Sequence, residues 1–138
     1  MGDQAVTAAE VLKTSTSIIE EGIGGATITA GMVLYKDSAN SDVLKAADCD
    51  GTALTATVAG IAVNGGGVGQ PIKYIKAGDY DPGFTVVVGA IYVMGGTAGV
   101  MQLASDLAQD DYVTLIGVGT SASSIHLTLY NSGVQVPA

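Results

Sequence analysis

Arginine and tryptophan are missing from this chain of 138 residues, and cysteine, histidine and phenylalanine occur once each, as Cys49, His126 and Phe84. Each shortage excludes something. Five lysines face thirteen acidic residues, for a net charge of −8. Phosphate backbones need clustered Lys or Arg, so nucleic acid is excluded as a partner, and anionic membrane surfaces are disfavoured for the same reason. One cysteine makes neither an internal disulfide nor a multi-cysteine metal site, which fits synthesis in a reducing cytoplasm. The start, "MGDQAVTAAEVLKTSTSIIEEG", has no basic opening and no long apolar run. It has the marks of neither a signal peptide nor a membrane span.

What is present is small and β-branched. Glycine (20), alanine (19), valine (16) and threonine (13) make up about half of the chain. β-Branched side chains suit pleated strands and glycines suit the turns between them. The expectation is an all-β fold: a small β-sandwich or β-barrel of short antiparallel strands, with one domain over residues 23–138. Residues 1–22 lack clear periodicity and are expected to form an extended N-terminal arm. Turn signals recur about every ten residues from Gly24 onward. The strand candidates are 26–35, 58–63, 71–76, 85–94, 112–118 and 124–130. In the last, Ile125, Leu127 and Leu129 share one face and His126, Thr128 and Tyr130 the other.

An internal repeat is also expected. A shift of 58 residues lays Thr27-Ile28-Thr29-Ala30-Gly31-Met32-Val33 over Thr85-Val86-Val87-Val88-Gly89-Ala90-Ile91. A shift of 55 pairs Val58, Ile61 and Val63 with Val113, Ile116 and Val118. Two copies are too few for a solenoid and imply a pseudo-symmetric β-domain.

Chemistry-bearing constellations are few. "GIAVNGGGVGQPIKYI" (60–75) is glycine-rich, but phosphate loops open a helix, and Gln70-Pro71 opens a strand. Asn64-Gly65 is itself a hairpin signal, so a turn is expected. The pairs Asp48/Asp50, Asp79/Asp81 and Asp110/Asp111 lie at strand ends, where Asp side chains stabilise turns; "DCDGTALTATV" lacks a third calcium-ligand position and the closing glutamate. His126 alternates with polar residues on a solvated or interface face, and no serine sits in a G-x-S-x-G elbow. No enzyme activity, catalytic residue, metal ligand or cofactor is assigned. Of the six tyrosines, Tyr80 in "AGDYDPG" is expected on a loop tip available to a partner.

The order of "ITAGMVLYKD", "VLKAADCDGTA", "VAGIAVNGGGVGQPI", "YVMGGTAGVMQLASDLAQDDYVTLIGVGTSASSIHL" and "NSGVQVPA" resembles the capsid decoration, or cement, proteins of tailed bacteriophages and prophages. The resemblance spans roughly Ile28 to Ala138. Gly60-Ile61-Ala62-Val63-Asn64, Gly69-Gln70-Pro71 and Asp111-Tyr112-Val113-Thr114 are its more specific pieces. It implies a β-rich virion protein, made in the host bacterial cytoplasm, that binds the outer surface of an expanded icosahedral head. Such proteins often sit as homotrimers that cement neighbouring copies of the major capsid protein against internal DNA pressure, and the resemblance implies the same arrangement here. The N-terminal arm is expected to make the capsid contact, through Ala5, Val6, Val11, Leu12, Ile18 and Ile19. The alternatives are a host- or glycan-binding module of a phage fibre, using the tyrosine-bearing loop at Tyr80, and a small hydrolase pairing His126 with Cys49 or a serine.

Overall fold

A computed structural model describes residues 4–137, and among them every regular element is a strand or a single 3-10 turn. The fold is all-β and antiparallel. Ten strands form one sheet: β1 (Val11–Lys13), β2 (Ile18–Ile23), β3 (Val33–Asp37), β4 (Val43–Ala46), β5 (Val58–Ala62), β6 (Pro71–Pro82), β7 (Ile91–Met94), β8 (Met101–Leu103), β9 (Tyr112–Ser121) and β10 (Ser124–Gln135). Their order is β4-β3-β5-β6-β10-β9-β7-β8, with β1 and β2 lying along β6. The segment expected as an arm is therefore built into the sheet. Ile18–Ile23 pairs with Pro71–Ala77, and Val11–Lys13 with Tyr80–Pro82.

β6 organises the molecule. Ile19 pairs with Ile75 and Ile18 with Ala77, so Lys76 is an extra residue in this ladder. Such a bulge moves all later side chains to the opposite face. Before it, Ile72 and Tyr74 enter a small core with Ile28, Leu34, Leu44 and Ala62. After it, Tyr80 joins Ile75 in the main core, beside Val33, Ile61, Tyr92, Met94 and Ile125. Chain 22–28 crosses the small core, where Gly24 and Gly25 donate to the carbonyls of Gln70 and Leu44 at 2.9 and 2.8 Å. At Gly22 a methyl would stand 3.0 Å from Leu44 Cδ1, so only glycine passes there without displacing a core side chain.

The repeat is present in the backbone. Thr29–Met32 and Val87–Ala90 are the same turn: Met32 donates to Thr29 (3.2 Å) and Ala90 to Val87 (3.1 Å), with φ of 89° at Gly31 and 82° at Gly89. Each turn is anchored alike. Gly31 donates to Ala62 and Ala62 to Met32; Gly89 donates to Gly119 and Gly119 to Ala90. β3 slips against β5 between Leu34 and Tyr35, and β7 slips against β9 between Tyr92 and Val93. The sheet order is accordingly palindromic, β4-β3-β5-β6 followed by β10-β9-β7-β8. These registers keep the shift of 58 for β3 over β7 but give 57 for β5 over β9, not 55, superposing Gly60 on Gly117. At both glycines an added methyl would collide with a neighbouring carbonyl, that of Ile75 or of His126.

Equivalent positions do not share an environment. Val33, Ile61 and Ile75 lie in the main core. Their counterparts Ile91, Val118 and His126 lie exposed on the far side of the second copy.

Candidate functional site

That exposed side is the best-defined surface feature. Ile91, Val118, His126 and Asp79 are successive cross-strand partners on β7, β9, β10 and β6, so their side chains stand in one row. One row further, Ile18, Ala77 and Thr128 line up on β2, β6 and β10. Leu12 sits opposite Asp81, which shares the face of Asp79 by alternation. Leu12 (58%), Ile18 (52%), Ile91 (47%) and Val118 (39%) are all exposed. The result is a broad outer face, apolar at its flanks and polar at its centre.

Asp79 is the polar hub. Its carboxylate Oδ1 lies 2.8 Å from His126 Nδ1, and its Oδ2 accepts from Thr16 Oγ1 at 3.3 Å. Its carbonyl accepts from Thr14 Oγ1 (2.7 Å) and Ser17 Oγ (2.6 Å), and its N–H donates to Thr16 Oγ1 (3.1 Å). The β1–β2 turn is thus pinned over β6 beside Gly78, whose φ of 95° and missing side chain let the Thr16 carbonyl approach. An exposed imidazole–carboxylate pair contributes at most about 1 kcal/mol. Its evident work is positional: it ties β10, β6 and the N-terminal strands into one surface.

The residues named from sequence divide. Leu12 and Ile18 stand on the outer face and Ala5 is exposed, while Val6 and Ile19 are half-buried. Val11 is buried, because β1 turns it inward against Gly31 and Gly83. A buried valine makes no outside contact, so Val11 is withdrawn from the expected capsid set. Tyr80 is corrected more sharply. β6 continues through Gly78 to Pro82, and Tyr80 lies fully buried in mid-strand rather than on a loop tip. Its hydroxyl has no hydrogen-bond partner among the described residues, and burial pushes its pKa up.

The glycine loop is a turn between β5 and β6. Its amides are spent internally: Gly66 on Ile28 O, Gly67 on Gln70 Oε1, Gly69 on Gly24 O and Gln70 on Gly67 O. Asn64 closes it, accepting from Lys73 N at 2.7 Å. The aspartates also serve turns, Asp48 accepting from Gly51 N, Asp81 from Gly83 N and Asp111 from Ala108 N. Cys49 lies in the main core, where burial, with Asp111, Asp50 and Asp48 nearby, pushes its thiol up to about 12. Core Cys49 and outer-face His126 do not meet. Sequence reasoning missed Ile91, Val118, Val87 and Val88 as surface residues, because apolar runs read as buried strand.

No protein-family model matches the chain, and no curated protein does. Among solved structures it is similar to the base of the head fibre protein gp8.5 of bacteriophage phi29, with 12% identity and a TM-score of 0.48 over 85% of this chain and 97% of that one. A likeness of that degree establishes neither ancestry nor role. No helix among the described residues is long and apolar enough to cross a membrane.

Proposed function

We propose that this chain is a phage virion structural protein that binds the outer surface of an expanded icosahedral head and, as a homotrimer, cements neighbouring major capsid subunits. The observation that carries the reading is the outer face: four exposed apolar side chains, Leu12, Ile18, Ile91 and Val118, from four strands of one antiparallel sheet. Apolar residues gathered on one side of a small acidic domain favour docking on a partner over solvation. The segments that resemble decoration proteins supply β3 to β10, the scaffold of this face. Many copies on one head multiply modest contacts, so each interface need not be tight. The fibre-module alternative loses its motivating feature, because Tyr80 is buried.

The test is co-sedimentation of the purified protein with matching heads before and after expansion. Saturable binding to expanded heads is expected, with strong loss in Leu12→Asp and Ile18→Asp. These substitutions are cleaner than deleting residues 2–21, which would strip β1 and most of β2 from β6. Failure of the wild-type protein to sediment with either head form overturns the reading.

A further inference from the structure

The two copies of the repeat place the same row in different surroundings. In the first copy Val33, Ile61, Ile75 and Ile19 are successive cross-strand partners. They lie in or against the main core, together with Tyr92, Met94 and Ile116 of the second copy. In the second copy the row is Ile91, Val118, His126 and Asp79, and it is open to solvent. Two members stay apolar and two have become an imidazole–carboxylate pair. A purely apolar cover would strip water from that pair without replacing it, so a cover for this row has to bring polar groups too. Those groups are donors. The ionised Asp79 carboxylate accepts from Nδ1 of His126, so the neutral ring keeps Nε2 as an acceptor, with no partner among the described residues.

The carboxylates of this face point the same way. No lysine or arginine follows Lys76 in the sequence, and Lys13, next to Leu12, leaves the face by strand alternation. At the end of the face Leu12 pairs with Asp81. There Asp81 and Glu10 line an open hollow of about 420 Å³ with Thr7, Phe84, Thr85 and Ser123. No basic residue lines it. Asp81 accepts from Gly83 N at 3.0 Å, and neither carboxylate has an ion-pair partner among the described residues.

We infer that the outer face docks a segment of a different protein that carries apolar side chains and an arginine, whose guanidinium enters the hollow between Glu10 and Asp81. Charge complementarity selects the base. A guanidinium offers several N–H donors to carboxylates and hydroxyls, and its flat face suits the Phe84 ring. A second copy of this chain is the wrong occupant. It has no arginine, brings −8 to a face already negative, and holds Lys45 and Lys76 on Asp37 and Glu20 at 2.8 and 2.6 Å. The inference rests on the outer face being the docking surface and adds the chemistry of what docks there.

The experiment titrates isotope-labelled full-length protein with acetyl-Val-Arg-Val-amide and follows backbone amide shifts. Saturable shifts are expected at 7–12, 81–85 and 122–123, weakening as salt rises from about 50 to about 500 mM. Citrulline in place of arginine keeps the shape without the charge and should bind at least about fivefold more weakly, as should the arginine peptide to Glu10→Gln. Glu10 is exposed, so that variant keeps the fold. Equal binding of the two peptides, indifference to salt, or no saturable shift overturns the inference. Shifts in the same residues that grow with protein concentration alone overturn it as well, by giving the face to a second copy. Co-sedimentation with expanded heads, run over the same salt range, separates this inference from the reading it rests on. Heads bound without peptide selectivity leave that reading standing and this inference overturned, whereas heads not bound overturn that reading while the peptide still decides the hollow.

Discussion

Tyr80 combines two opposed contributions in one side chain. Its ring fills the main core, while its hydroxyl, buried and without a partner among the described residues, forfeits the hydrogen bonds it had in water. Removing only the hydroxyl keeps the packing and ends the loss. Tyr80→Phe is therefore expected to leave stability unchanged or raise it by about 1 kcal/mol in urea unfolding. A clear loss of stability would show that the hydroxyl is satisfied. The same residue marks the limit of sequence reading. Ala77-Gly78-Asp79-Tyr80-Asp81-Pro82-Gly83 has the composition of a loop, yet β6 runs through it. The Thr14–Ser17 turn spends its hydroxyls on Asp79, and β10 pairs along the other edge. Those contacts come from chain more than forty residues away, which no local window contains.

At the scale of elements, the strands legible in sequence were β5, β9, β10 and the start of β6, where alternation or a dense β-branched run is bounded by turn residues. β1, β4 and β8 are three or four residues long, too short for a period to show. The apolar run over residues 85–94 reads as one strand, but only Ile91–Met94 is one, because Gly89 bends the chain into the repeated turn. That turn supplies a comparison with an internal control. Alanine at Gly89 meets open space and bears only the positive-φ cost, about 1 kcal/mol. Alanine at Gly31 bears the same cost and also presses on Val6 and Val11, adding about 1–3 kcal/mol of overpacking. Thermal unfolding should therefore rank Gly31→Ala below Gly89→Ala. Equal values would mean that the N-terminal segment yields without cost, and that the first turn is no better covered than the second.

At the scale of the whole molecule, the repeat and the core impose different divisions. Backbone registers split the sheet between β6 and β10, yet the main core draws Val33, Ile61 and Ile75 from one half and Tyr92, Met94 and Ile116 from the other. The small core belongs to the first half alone and is closed by chain 22–28. Neither half keeps its share of the main core from water without the other, so the copies are structural equivalents but not independent units. A single cooperative transition follows, with calorimetric and van't Hoff enthalpies in agreement. Fragments 1–83 and 84–138 should each lack a fixed fold when separate and regain strand circular dichroism when mixed. Two resolved transitions, or a second fragment folded alone, would show that the halves are self-sufficient. In that case the exposed row of Ile91 and Val118 would be an ordinary domain surface, and the case for a partner on the outer face would weaken with it.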